Sequence, residues 1–442
     1  MTDAPAMGVL AGLAERVRDR HEQLVGPWVP TSWIARHAPE VTLGGASLLL
    51  LASPWVSTGT NAALVLLLAL LGGCWVLARP GEVFPRSALA WPVGLFFAAL
   101  LVATLGSPFL AASVKGLAKF AIYGLAYMVF RRVMAHDPGA RGLLAVAMVV
   151  AALAEAAFGL YQFKIKVAPL ATWEDAESEL HLTRVYGSLR NPNLMGAYLA
   201  VTWPAAFALA LAARGLPRVI GWTTLLAIPA CLYVTYSRGA YLALASEATI
   251  LGGAWLLANR RPGGLPRAVW IGLALVGTAL AGWLLWTYVP TLQARVASMV
   301  NVTGDSSNVF RTNVWRATIA LIRDNWWLGV GIGNDAFRHA YALYMISGFE
   351  ALGAYNIFLE WWAEAGVTGL CAFLALLVAV VRRPRQVRAA WPWAAAVTAA
   401  VVGLCIHGLV DTVFFRPSVQ LAFWWWVAVA AAWPEPFDEV RP

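Results

Sequence analysis

A chain of 442 residues with 60% hydrophobic and only 12% charged residues carries more apolar surface than a soluble fold of that size can bury. Its mean hydropathy of +0.67 places it in a bilayer. The net charge of +9 follows from arginines held on one membrane face, and nucleic-acid binding is a poor reading of it.

In chain order, residues 1–40 form a cytoplasmic segment in which Leu10, Leu13, Val17 and Leu24 lie near one helical face and Arg16, Arg18 and Arg20 elsewhere. That pattern predicts an amphipathic helix on the membrane surface. No short apolar run followed by a small-residue cleavage site precedes it, so no removable signal peptide is expected. Apolar runs of about 16 to 22 residues then recur, long enough to cross a ~30 Å hydrocarbon core as helices. The predicted spans are 41–56, 62–78, 88–105, 116–130, 143–163, 194–213, 219–236, 240–258 and 268–289, then 357–381, 389–410 and 418–433. These runs are continuously apolar where barrel strands would alternate. The expected fold is therefore an all-α integral membrane protein of about twelve transmembrane helices. Residues 290–356 make a long helical extracytoplasmic loop and 434–442 a cytoplasmic tail.

Charge placement agrees with both termini inside. Arg79 and Arg86, Arg131, Arg132 and Arg141, Arg214 and Arg218, Arg260, Arg261 and Arg267, and Arg382, Arg383, Arg385 and Arg388 fall in alternate loops. Cys74, Cys231, Cys371 and Cys405 lie within spans, without metal-ligand spacing, and read as plain core residues.

Arginines on the other side are not needed for orientation. Arg184, Arg190, Arg238, Arg295, Arg311, Arg316, Arg323, Arg338 and Arg416 therefore suggest an anionic ligand, against the alternatives of snorkelling or pairing with Glu174, Asp175, Asp324 or Asp335. Arg238 sits in the tight turn Tyr236-Ser237-Arg238-Gly239, where a cation meets the headgroup plane.

In the loop, Asn308 to Trp326 contains no Gly or Pro, and Phe310, Val314, Ile322 and Trp326 recur at multiples of four. An amphipathic helix is expected there, with Arg316 and Arg323 on one face and Arg311 elsewhere, near Trp315. The run Gly329-Val330-Gly331-Ile332-Gly333-Asn334 lacks the preceding strand and following Lys-Ser/Thr of a nucleotide loop, and reads as a helix stop and flexible turn. Acids within spans are Glu155, Glu247, Glu360 and Glu364. Glu360 with Glu364, and His407 with Asp411, are spaced to share helical faces, and each is a functional candidate.

These motifs in this order resemble the O-antigen ligase and polymerase superfamily of bacterial envelope glycosyltransferases. The residues that carry the resemblance are Arg190-Asn191-Pro192-Asn193, Ser237-Arg238-Gly239-Ala240-Tyr241-Leu242, Arg311 to Trp315, Leu328-Gly329-Val330-Gly331, and Asn356 with Gly366 and Gly369. A further likeness is to a branch labelled inorganic-carbon, or bicarbonate, transporters. It rests on Ala171-Thr172-Trp173, Asp305-Ser306-Ser307-Asn308, Phe310 to Trp315, Ala354-Tyr355, Asp411-Thr412-Val413 and Arg416-Pro417.

The resemblance implies a GT-C-like fold in the inner membrane and an inverting, metal-independent enzyme without cofactor. Such an enzyme moves a glycan from a polyprenyl-pyrophosphate carrier to an acceptor glycan or lipid. Carried over, Arg238 and Arg311 hold the pyrophosphate, Tyr355, Asn356 and Glu360 complete the catalytic set, and Arg190, Asn193, Arg316, Arg323, Arg416 and Asp411 bind substrate. The family's general base is a histidine directly before the asparagine, and that position is Tyr355 here. A phenol with a pKa near 10 is a poor base at neutral pH. Glu360, Asp335 or His339 could replace it. The other readings are a bicarbonate carrier and a non-catalytic scaffold for lipid-linked sugars.

Overall fold

The computed structural model describes residues 23, 27, 29, 31–79, 87–170, 184–259, 266–288, 306–386 and 390–433. The predicted amphipathic helix near Leu10 to Leu24 lies outside the described residues. So do Arg86, Thr172-Trp173, Glu174, Asp175, Arg260, Arg261, Arg295, Asp305, Arg388 and the tail 434–442.

Among the described residues every regular element is a helix. These are α1 (Trp33–Arg36), α2 (Ala38–Ala52), α3 (Thr58–Ala78), α4 (Ala90–Leu105), α5 (Leu110–His136), α6 (Ala140–Lys164), α7 (Pro192–Ala212) and α8 (Leu216–Thr235). They continue with α9 (Arg238–Ala258), α10 (Arg267–Tyr288), α11 (Ser306–Asp324), α12 (Asn334–Tyr341), α13 (Ile357–Gln386), α14 (Trp391–Gly408) and α15 (Pro417–Ala431). A helix overlaps each predicted span, and seven are long and apolar enough to cross a membrane: α3, α6, α7, α8, α9, α13 and α14. The protein is an all-α, multi-pass membrane protein.

Short polar side chains start several of these helices. Ser57 caps α3 by accepting from Thr60 N, Asn191 caps α7 by accepting from Asn193 and Leu194, and Ser237 caps α9 by accepting from Ala240 N. The proline inside α8 is answered by a neighbour. Pro229 in α8 has no N–H for the Leu225 carbonyl, and the Trp203 indole of α7 donates to that carbonyl at 2.9 Å. Helices α7 and α15 occupy the centre of the bundle, and Trp424, Trp425 and Trp426 of α15 are fully buried. Of the cysteines, Cys231 is buried as expected, whereas Cys74 and Cys371 face outward from the bundle, which corrects the core reading for those two.

The segment from α11 to the start of α13 has its own small core, built from Val314, Ala317, Leu321, Val330, Phe337, Tyr341 and Ala354. It sits on one end of the bundle. Helices α7, α9, α13 and α15 all begin at that end, by chain direction, so their positive dipole ends gather there.

Candidate functional site

A polar cluster forms where this segment meets the starts of α7 and α9 and the end of α14. Its first link is Arg184, which donates through Nε to the Thr235 carbonyl at 3.2 Å and through Nη2 to Asn193 Oδ1 at 3.3 Å. With Oδ1 accepting, the amide nitrogen of Asn193 is turned to Asp411 and donates to its Oδ2. The same Oδ2 accepts from Arg311 Nη2 at 3.3 Å, and Thr412 N donates to Oδ1 at 2.8 Å. Arg311 is steadied on its own helix by donating through Nη1 to Ser307 Oγ at 2.8 Å. The ion-paired side chains of Arg311 and Asp411 keep 14% and 11% of their surface open, so the pair is confined but reachable.

The second link runs through Thr412 into the start of α13. Its Oγ1 accepts from Tyr355 N at 2.9 Å and donates to Glu360 Oε2 at 3.1 Å, and Ala354 N donates to that same oxygen at 3.1 Å. Tyr355 adopts a left-handed backbone with φ 51°, a conformation held by these bonds and by Trp315 Nε1 donating to its carbonyl at 3.3 Å. Asn356 accepts from Phe358 N at 2.9 Å and Leu359 N at 3.1 Å, which makes it the cap of α13. Its amide donates to the Leu409 carbonyl at 3.0 Å. Asn356 thus joins α13 to the end of α14. Glu360 is fully buried, and its neighbour Gly353 leaves room for Oε1, since an added Cβ would lie 2.3 Å from that atom.

The Tyr355 ring packs edge-on against Phe310, with centroids 5.3 Å apart. Burial raises its phenol above the ordinary value of 10.0, the Asp411 carboxylate adds to the rise, and Arg311 offsets part of it. At neutral pH this side chain is a neutral hydroxyl and not a proton acceptor.

Arg238 opens α9 directly after the Ser237 cap and is half-buried. The next residue, Gly239, is pressed onto the end of α14: an added Cβ would lie 2.5 Å from His407 Cδ2. The start of α9 thereby meets the end of α14, next to the turn that carries Asp411. His407 and Asp411 do not share a helical face, contrary to the sequence expectation. The helix ends at Gly408 and the chain turns before Asp411. His407 stays buried, with no hydrogen bond to either ring nitrogen.

The remaining predicted site residues are arranged around this cluster. Arg190 is exposed at φ 56° in the turn before α7, and Arg416 is exposed at the cap of α15, close enough for its charge to act on Tyr355. Arg316 and Arg323 are exposed farther along α11, displaced from Arg311 by about 7.5 and 18 Å of helix rise. Asp335 and His339 are exposed on α12, where His339 stacks on Phe109 with centroids 5.5 Å apart.

Residues 222–374 match the O-antigen ligase family. Over that segment the chain is similar to O-antigen ligases. No curated protein matches the sequence. The matched segment contains Arg238, Arg311, Tyr355, Asn356 and Glu360, while Arg184, Asn193 and Asp411 lie outside it. The matched segment therefore takes the acidic partner of Arg311 from the turn after α14, and Asn193 of α7 holds that acid in turn.

Within the matched segment the glycine signature has a backbone cause. Gly366 breaks the helical run of α13 with φ 65°, ψ −172°, and an added Cβ would lie 2.0 Å from the Trp327 carbonyl oxygen. The break lets the segment 326–334 lie against α13. Val330 N donates to the Ala363 carbonyl at 2.9 Å, Gly331 N to Glu364 O at 3.0 Å, and Val367 N to Trp326 O at 2.8 Å. Gly333 N donates to Glu364 Oε2 at 2.8 Å, and Ser113 Oγ accepts from Ile332 N at 2.7 Å. Residues 329–333 are buried, so the expected flexible turn is a fixed strap inserted between α5 and α13. Its backbone donors are met by α13 carbonyls and side chains, which is what fixes it.

The sequence reading missed Thr412 and Ser307 as site-builders. Ser307 was legible at four residues before Arg311 on one helix, the spacing at which side chains meet. Thr412 stood in the motif Asp411-Thr412-Val413, but nothing local pointed to its partners, which are 52 and 57 residues away in the chain.

Proposed function

We propose that this protein is a membrane glycosyltransferase that transfers a glycan from a polyprenyl-pyrophosphate carrier to the hydroxyl of an acceptor glycan or lipid. The observation that carries this reading is the half-open Arg311–Asp411 pair, at the end of the bundle where Arg238 opens α9 and several helix N-termini collect. The ligase-family match over residues 222–374 supports it.

In this reading the pyrophosphate lies against Arg238 and Arg311, which offset the charge that grows as the bond from the anomeric carbon to the pyrophosphate oxygen breaks. The acceptor oxygen forms the new bond to that carbon, and the carrier leaves as polyprenyl pyrophosphate with the bonding pair. The acceptor proton passes to Asp411. Among the carboxylates of the cluster, Asp411 reaches the surface, while Glu360 is enclosed and spends Oε2 on Ala354 and Thr412. Tyr355 closes one wall of the site as a neutral hydroxyl.

The cluster belongs on the extracytoplasmic side of the bacterial inner membrane. Arg131, Arg132, Arg141, Arg214, Arg218, Arg382 and Arg383 all lie at the opposite ends of their helices, as the positive-inside rule requires with both termini cytoplasmic. The test is glycan transfer by purified protein from a polyprenyl-pyrophosphate oligosaccharide, with wild type beside Arg238→Ala and Arg311→Ala. Each variant is expected to lose about 100-fold or more in turnover, the size seen when one charge-stabilising donor is removed. Equal product from all three would defeat the proposal.

A further inference from the structure

Helix α11 carries two arginines that the cluster does not use. At 3.6 residues per turn, Arg316, Ile319 and Arg323 fall within about 60° of one another, opposite the buried Val314, Ala317 and Leu321. Beside this stripe, Ile319, Ile322 and Arg323 of α11, Trp326 after it, and Leu359 and Trp362 of α13 line a groove of about 440 Å³.

The groove's walls are apolar apart from the Arg323 guanidinium, and it remains open, with Ile319 40% and Trp326 53% exposed. Nearby polar groups are already engaged. The Trp362 indole donates to the Trp326 carbonyl at 3.1 Å, and Asp324 accepts from the Tyr344 hydroxyl at 2.7 Å. What the rim offers is therefore the two arginines. The groove lies over the first turns of a membrane-spanning helix, the level at which tryptophans meet headgroups and hydrocarbon begins.

A small aqueous ligand would find a cation there but no hydrogen-bonding wall. A chain of methylene groups fits the wall, and a phosphate at its head fits the rim. We propose that the groove between α11 and α13 holds an acyl chain of an anionic bilayer phospholipid whose phosphodiester sits on Arg323 and Arg316. Such a lipid would wedge together the two helices that present Arg311 and Tyr355.

The test is native mass spectrometry of the full chain extracted from bilayers of equimolar phosphatidylglycerol and phosphatidylcholine. Wild type is expected to retain phosphatidylglycerol about tenfold or more over phosphatidylcholine, the size expected of two arginines beside a lipid phosphate. The double variant Arg316→Ala/Arg323→Ala should lose that preference. Leu359→Trp, which fills the groove, should lower retention of both lipids, and Arg311→Ala and Arg338→Ala should retain phosphatidylglycerol as wild type does. Equal retention of the two lipids by wild type, or an unchanged preference in the double variant, would overturn the assignment. Displacement of phosphatidylglycerol by added polyprenyl phosphate, lost in Arg311→Ala, would overturn it in favour of the carrier's tail.

Discussion

The Arg311–Asp411 cluster and the glycine strap from Trp326 to Asn334 both lean on a buried carboxylate of α13, and they differ in what they leave open around it. In the strap, Glu364 is enclosed and accepts from Gly333 N, and the backbone N–H groups of residues 329–333 each meet an acceptor. In the cluster, Glu360 performs the same service for Ala354 and Thr412, yet the next shell outward keeps charged surface open at Arg311 and Asp411. A buried carboxylate whose bonds go to neighbouring backbone and hydroxyl groups builds scaffold. A charged pair left partly uncovered at a membrane surface is where an anionic ligand gains most, because the ligand meets fixed charge in a poorly screened setting.

The largest effect expected from breaking this contrast is on the strap. Gly366→Ala places a Cβ 2.0 Å from a carbonyl oxygen at a positive φ, and should cost about 3 kcal/mol or more in thermal unfolding followed by tryptophan fluorescence. A wild-type melting curve would show that the strap is not scaffold. Next, Asp411→Ala should lower transfer about 100-fold. Asp411→Asn, which can still accept from Arg311 but carries no charge, should fall between it and wild type in turnover.

Glu360→Ala should destabilise by about 1–3 kcal/mol by stranding the buried Ala354 N–H, and Glu360→Gln by less than about 1 kcal/mol. Equal losses of stability in the two would mean that charge, and not hydrogen bonding, is the role of that side chain. The smallest effect is expected for Tyr355→Phe, within about threefold in turnover if the phenol moves no proton. The sign of its pKa shift fixes the pH behaviour. The neutral phenol is favoured in the fold, so its contribution is fully present below 10 and is lost as pH rises through the higher folded value. The transfer profile of Tyr355→Phe between about pH 6 and 9 should overlay that of wild type.

Much of the helical frame was legible because a helix in a bilayer announces itself by the length of its apolar run, and each predicted span is overlapped by a helix. The amphipathic stretch from Asn308 to Trp326 was legible for the same periodic reason and became α11. What stayed hidden were meetings between short polar groups far apart in the chain. Asn193 and Asp411 are 218 residues apart, and nothing local to either states that they touch. The glycine run from Gly329 was read as a flexible turn because glycine in a sequence signals permissive backbone. Its use here is close approach to α13, which depends on the break at Gly366 and on Ser107 and Ser113 in other parts of the chain. Asp411 was legible as a charged residue, but its place after the end of α14, not on that helix, was decided by the turn.

The most direct test of the anion site is equilibrium binding of polyprenyl pyrophosphate to the purified protein, measured side by side for wild type, Arg311→Ala and the exposed control Arg338→Ala. Arg311→Ala should weaken binding by about tenfold or more, as expected for losing one charge-assisted contact to phosphate, while Arg338→Ala should bind as wild type does. Equal affinity in wild type and Arg311→Ala would contradict the anion-site assignment.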